Sequence, residues 1–172
     1  MASHSRMIEL RRVDRAERSD LVRLVDAYLA ELGAHREHPA GPMDAASYVY
    51  LPLYWEERGR HPFFIFADGE CVGFVLIREI EKEAIIEMSE FYIRPESRRT
   101  GLGRAALAEV WHRFPGTWRL QVHPLNRAGS VFWPRCIEEF ASGRIDVREV
   151  VEEDGRRLQY TFEVAAVEMA RS

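Results

Sequence analysis

The stretch of this sequence with the clearest chemical potential is Arg98-x-x-Gly101-x-Gly103. It follows a strand-like segment, "EFYIRPE" at 90–96, and opens a helix-like one that begins at Gly101. The first N–H groups of a helix have no internal partners, and the helix dipole places partial positive charge there. Glycine removes the Cβ atoms that would hold an anion off those N–H groups. An anion held by bare backbone is the functional expectation; a tight strand-to-helix turn is the plain structural alternative. A Walker-type phosphate loop is excluded, because no Gly-Lys-Ser/Thr follows. "GLGRAA" also fits the G-x-G-x-x-A of a dinucleotide fold. That fit fails on context: no acid lies about 20 residues on, at the end of the next strand, and too little chain remains for a second nucleotide-binding half.

Other reactive residue types offer less. Cys71 starts a hairpin strand and Cys136 sits far down a helix, neither beside an evident activating base, so a covalent acyl-cysteine is not expected. Two cysteines are also too few for a disulfide framework or a cysteine zinc site. His35 and His38 have no third ligand nearby, so no metal is expected.

The elements that must position the glycine stretch are read from periodicity. "MIELRRV" (7–13) alternates as a strand, and Leu21, Leu24, Val25, Tyr28, Leu29 and Leu32 recur at helical spacing from Ser19 to Leu32, with Gly33 as a C-terminal cap. A second helix is predicted over Ala45–Arg58, interrupted near Pro52. "HPFFIFA" and "CVGFVLIREI" flank Asp68-Gly69 as a hairpin, and "AIIEMSEFYI" (84–93) completes a meander. A helix from Gly101 to Phe114, the strand "TWRLQVH" and a helix capped by Asn126 and closed by Gly143 follow, with Pro134 inside the last. "RIDVREVV" and "RRLQYTFEV", joined at Asp154-Gly155, end the chain as two strands.

The 172 residues, 47% hydrophobic and 30% charged, suit one soluble domain with a proper core. A net charge of −4 gives no reason to expect a nucleic-acid partner. "MASHSRMIELRR" lacks the apolar core of a secretory signal, and "PFFIFA" and "VGFVLI" are too short to span a membrane. A cytoplasmic protein with no membrane partner is the expectation.

The glycine stretch, the strand before it, the helix after it and Asn126 with Phe132-Trp133 downstream together resemble the acyl-CoA signature of the GCN5-related N-acetyltransferase (GNAT) family. The element order from Met7 to Val164 is similar as well. The resemblance implies an α/β (α+β) fold, a single domain over residues 1–172. Its mixed, mostly antiparallel central sheet of about seven strands would be flanked by about four helices. It implies an N-acetyltransferase that passes an acetyl group from acetyl-CoA to a primary amine by direct attack in a ternary complex, without a metal. The acceptor would be a small-molecule or peptide amine, and a homodimer is compatible with the family.

Residue by residue, the resemblance makes the backbone of Arg98, Arg99, Thr100, Gly101, Leu102, Gly103 and Arg104 a cradle for the CoA pyrophosphate. The side chains of Arg98, Arg99 and Arg104 add positive charge. Phe91, Tyr92 and Ile93 would pair with pantetheine through their backbone, one N–H polarising the acetyl carbonyl. Glu90 corresponds to the glutamate that serves as base in many members, with Glu87 in reserve. Three positions apart, the two would face opposite sides of a regular strand unless a bulge intervenes. Asn126 would hold the pantetheine arm. Trp133 stands where many members have a tyrosine whose phenol protonates the departing thiolate; indole is no acid at neutral pH. Water, Tyr160 or His123 would then supply the proton. The other outcome is a non-catalytic acyl-CoA-binding sensor or interaction module of the same fold.

Family acceptor sites lie over the segment that here runs from Tyr28 to Gly59. Within it Tyr48, Tyr50, Tyr54 and Trp55 are candidates to line a pocket, and Glu31, Glu37, Asp44, Glu56 and Glu57 to attract a cationic amine. Core packing and a solvated acidic face are the structural alternatives.

Overall fold

The computed structural model describes residues 6–34, 42–153 and 155–168. Seven strands form one sheet: β1 Ile8–Arg12, β2 Arg60–Ala67, β3 Glu70–Ile80, β4 Ile85–Ile93, β5 Gly116–Val122, β6 Asp146–Glu152 and β7 Gly155–Val164. Their order across the sheet is β1-β2-β3-β4-β5-β7-β6. Every neighbouring pair is antiparallel except β4 and β5. Three α-helices accompany it: α1 Arg18–Ala34, α2 Leu102–Arg113 and α3 Arg127–Phe140. The Asp68-Gly69 turn between β2 and β3 has positive φ at both residues (51° and 82°), the geometry that matches strand twist in a two-residue hairpin.

Strand alternation divides the core in two. Phe63, Ile65, Val75, Ile77, Trp118 and Phe162 pack with Leu107, Val110 and Trp111 of α2 and Ile137 of α3. Phe64, Phe74, Leu76 and Tyr92 pack with Leu21, Val25 and Leu29 of α1 and with Leu51 and Tyr54. Each fully buried large apolar side chain contributes about 1.5–3 kcal/mol relative to exposure. These two layers fix the position of β4, which contributes to both.

The helix predicted over Ala45–Arg58 is not formed. That stretch holds only short 3-10 turns, at Ala45–Ser47 and Leu51–Trp55, so the α-helices number three rather than about four among the described residues. The physical reason is local: Tyr48, Val49 and Tyr50 have poor helix propensity, and Pro52 withholds a donor and clashes with a preceding turn. The Asp44 carboxylate accepts from the Ser47 N–H at 2.8 Å, which closes the first turn. Gly33 lies inside α1, which continues to Ala34, and so is not the cap beyond its end. Asn126 is the N-cap of α3, its Oδ1 accepting from the Gly129 N–H at 2.9 Å, and Pro134 is accommodated within that helix. Among the described residues no helix is long and apolar enough to cross a membrane. His35, Glu37, His38 and Asp154 lie outside the described residues.

Candidate active site

Two irregularities set β4 apart from a regular strand. The first is a bulge. Arg78 pairs with Glu87 and Ile77 with Met88, but Leu76 pairs with Glu90, so Ser89 is an extra residue without a counterpart on β3. Leu76 and Arg78 point to the same face, and their partners Glu90 and Glu87 therefore do too. The bulge thus intervenes between the two glutamates.

The second irregularity is a parting of strands. β4 and β5 are paired only at Ile86↔Trp118 and Glu87↔Arg119. Beyond Glu87, β4 stays laddered to β3 as far as Ile93, while β5 is laddered to β7 along its whole length. Phe91, Tyr92 and Ile93 therefore border a wedge in the sheet on the side away from β3.

Glu90 faces α1. It accepts a short hydrogen bond from the Tyr28 hydroxyl and a second from the Tyr48 hydroxyl at 3.2 Å. Burial, and then the Glu90 carboxylate, push the Tyr48 hydroxyl well above its ordinary value, so it remains a neutral donor. Tyr54 lies in the core behind them, its hydroxyl pushed up to about 12 chiefly by burial. Glu87 is engaged elsewhere: Arg119 donates to it from Nε at 3.2 Å and Nη2 at 2.9 Å, and to Glu83 from Nη1 at 2.9 Å. Of the two glutamates, Glu90 is the one bonded by neutral donors.

The loop into α2 bends so that its backbone donors are left without partners among the described residues. Arg99 and Gly101 both have positive φ (59° and 79°), and a Cβ on Gly101 would meet nothing within 4 Å. Successive N–H groups in such a bend form a concave donor surface. Among the described residues, none of the backbone N–H groups of residues 99–104 finds an acceptor, whereas the Arg98 N–H donates to the Pro95 carbonyl at 3.2 Å. Gly103 serves another purpose as well: a Cβ there would sit 3.1 Å from the Phe132 ring of α3.

The three arginines of the loop differ. Arg98 donates from Nε to the Ile93 carbonyl at 2.8 Å, forms a bidentate pair with Glu31 at 2.6 and 2.8 Å, and lies over the Tyr92 ring. It ties α1 to the end of β4. Arg104 is paired with Glu139 of α3 and holds that carboxyl below its ordinary value. Arg99 is exposed and makes no side-chain hydrogen bond or ion pair with the described residues.

On the α3 side of β4, Trp133 packs edge-on against Phe91 (centroids 5.4 Å) and Phe132 (5.2 Å), and Phe91 stacks on Phe132 at 6.2 Å. Tyr160 is buried in the core between β5 and β6. His123 accepts through Nδ1 from the Leu125 N–H at 3.1 Å, as a turn residue. Of the aromatics expected over the acceptor side, Tyr48 reaches Glu90, Tyr50 is exposed beside it, and Trp55 turns away to donate to the Val13 carbonyl at 3.1 Å. Of the acids there, Glu31 pairs with Arg98, Asp44 caps a turn and Glu57 pairs with Arg60.

Parted strands, an unsatisfied helix-entry loop and a carboxylate on the opposite face agree with the family comparison: residues 21–129 match the model of the acetyltransferase (GNAT) family. The chain belongs to that family. Solved acetyltransferases share the fold at low identity. One from Thermus thermophilus superposes with a TM-score of 0.67 at 18% identity, covering 92% of this chain and 97% of that one. The PaiA N-acetyltransferase of Thermoplasma acidophilum, solved with coenzyme A, gives 0.63 at 16% identity over 89% and 98%. The ribosomal-protein-S18-alanine N-acetyltransferase of Escherichia coli gives 0.60 at 14% identity over 96% and 99%. No curated protein matches the chain in sequence.

Sequence reasoning misses Tyr28 as a site residue. It sits in the apolar stripe of α1 and reads there as part of the core. The available signal is its hydroxyl, which needs a partner when the ring is buried.

Proposed function

We propose that this acetyltransferase-family protein is an N-acetyltransferase, transferring an acetyl group from acetyl-CoA to a primary amine in a ternary complex. The observation that carries this reading is the juxtaposition on β4. Its open edge at Phe91–Ile93 leads into the acceptor-less N–H groups of residues 99–104, while the bulge turns Glu90 toward α1. The loop fits a pyrophosphate, because its donors are unsatisfied and Gly101 leaves their approach open. The CoA complex of the Thermoplasma relative supports the same ligand here.

Bound acetyl-CoA supplies the acyl group activated as a thioester. One backbone N–H of Phe91–Ile93 on the open side of β4 polarises the acyl carbonyl. Glu90, held by Tyr28 and Tyr48, takes the proton from the acceptor amine directly or through one water. Asn126 orients the pantetheine arm from the start of α3. Trp133 supplies packing against Phe91 and an N–H, not a proton, so the thiolate is protonated by solvent. The acceptor is a small-molecule or peptide-borne amine that enters from the Glu90 side.

A second reading, a non-catalytic acyl-CoA-binding module, draws on Trp133, which occupies the place of an acid and is held in an aromatic cluster. Thiol release from acetyl-CoA with a panel of diamines, amino acids and peptide amines separates the two. Acetylated product by mass spectrometry supports the enzyme. CoA binding with no product across the panel supports the module.

A further inference from the structure

A cavity of about 560 Å³ opens between the first half of α1 and the ends of β1–β4. Neither Glu90 and its two phenols nor any residue of 98–104 lines it. Its apolar wall is Leu24, Phe64, Phe66 and Tyr92; its charged groups are Arg11, Arg23 and Arg94 against Asp20 and Glu96. Arg11 is engaged by Glu17 at 2.8 Å and lies over the Phe66 ring, and Arg23 reaches Asp20 at 3.8 Å.

Arg94 differs from both. Its guanidinium makes no hydrogen bond or ion pair with the described residues, and its Nε is sealed from solvent without an acceptor. The sealed Nε is out of reach of a ligand in the cavity, so pairing there falls to the terminal Nη groups of the Arg94 guanidinium. Its backbone is fixed by an N–H bond to the Val72 carbonyl at 2.8 Å, so the side chain is held at the cavity by a rigid strand end.

We propose that this cavity is a second ligand site, for a small organic carboxylate whose charged end pairs with Arg94 and whose aryl or alkyl body lies on Phe64, Phe66 and Leu24. The planar guanidinium fork matches a carboxylate. With Arg11 paired to Glu17 and Arg23 to Asp20, Arg94 is the one lining arginine without an ion pair among the described residues, and a single cation suits a monoanion over a phosphate dianion. The volume lies in the range of small-molecule sites.

Cys71 lines the same cavity and is partly exposed, whereas Cys136 is buried, so alkylation of Cys71 reads occupancy at this place. Burial pushes the Cys71 thiol up, and labelling is therefore run at mildly alkaline pH. The probe is 3-phenylpropionate and the control its neutral amide, each titrated into the full chain by calorimetry and then used in iodoacetamide labelling with peptide mass analysis. The carboxylate is expected to bind and to slow labelling of Cys71, and the amide to do neither. Arg94→Gln should weaken binding about tenfold or more, the scale of one charged hydrogen bond. Arg94→Lys keeps charge without the fork and should fall between. Saturating CoA should leave probe binding unchanged. Absence of heat with millimolar probe, equal binding of acid and amide, unprotected Cys71 at probe saturation, or displacement by CoA each overturns the proposal, as does unchanged affinity in both Arg94 variants.

Discussion

Residues 99–104 present mainly backbone donors, with the Arg99 side chain beside them, whereas Glu90 is held by side chains drawn from separate segments. In the loop, the neighbouring acids Glu31 and Glu139 draw Arg98 and Arg104 aside, and what remains is a run of backbone donors shaped by Arg99 and Gly101. At Glu90 the reverse holds: two phenols, from α1 and from the turn at Tyr48, converge on one carboxylate of β4. A site made of main chain tolerates side-chain changes but not a change of backbone shape. A site made of side chains is the opposite, sensitive to a single oxygen atom.

The largest expected effect breaks the main-chain half. Gly103→Glu should bring CoA affinity below detection in calorimetry, through a carboxylate set against the loop. Its Cβ also meets Phe132, so the melting temperature should fall. Gly103→Ala carries the same Cβ without the charge and should still bind CoA, with a stability change of about 1 kcal/mol or less, because crowding against Phe132 is offset by the better helix propensity of Ala. If Ala abolishes binding as fully as Glu, packing of α2 on α3 rather than the loop controls the ligand.

Next comes the side-chain half. Glu90→Gln should lower kcat/KM by about 10²-fold or more near neutral pH, with partial recovery at high pH, where more amine is already neutral. CoA affinity should not move. A variant within about twofold of the parent at every pH would leave Glu90 without a base role on that scale.

Removing one phenol sharpens the comparison further. Hydrogen bonds to a carboxylate favour its charged form, so Tyr28→Phe or Tyr48→Phe should shift the acid limb of kcat/KM to higher pH, leaving the alkaline plateau in place. Because the Tyr48 hydroxyl is itself pushed up, it stays protonated through ordinary alkaline assays and should contribute no descending limb. A pH profile identical to that of the parent would make the two phenols packing groups only.

The smallest effect belongs to Trp133→Phe. It should reduce CoA affinity by less than about tenfold and leave single-turnover rates at saturating acetyl-CoA unchanged, because indole does not titrate near neutral pH. Loss of the chemical step with affinity intact would instead make Trp133 a participant. Trp133→Tyr restores the phenol common in the family and tests whether that position reaches the sulfur.

How far each half is legible follows from how it is built. The strands declare themselves through two-residue alternation and the Asp68-Gly69 turn, and the loop is contiguous, so its glycines and position before a helix can be read as a string. The partners of Glu90 cannot. Tyr28 lies 62 positions away in sequence and looks like a core residue in a helical stripe. Ser89 gives no local sign that it is the extra residue of a bulge. The partners of Arg98 and Arg104 depend on where α1 and α3 come to rest. The segment around Tyr48–Trp55 reads wrongly as a helix, because its aromatic spacing is helical while Pro52 and the β-branched and aromatic run prevent the helix from forming.

The extra residue at Ser89 acts on β4 as a dislocation acts in a crystal row. Upstream and downstream each half is regular, but the two halves are out of phase by one residue, so Met88 and Phe91 share one side of the sheet while Glu87 and Glu90 share the other. Deleting Ser89 would heal the row: with β3 fixed, Glu90 would follow Met88 opposite Leu76, still on the face of Glu87, and only the local bend of the bulge would be lost. Transplanting this carboxylate into a related sheet therefore means carrying the fault along with it, since a glutamate grafted onto an unbroken strand at the same distance from the wedge would face the wrong way.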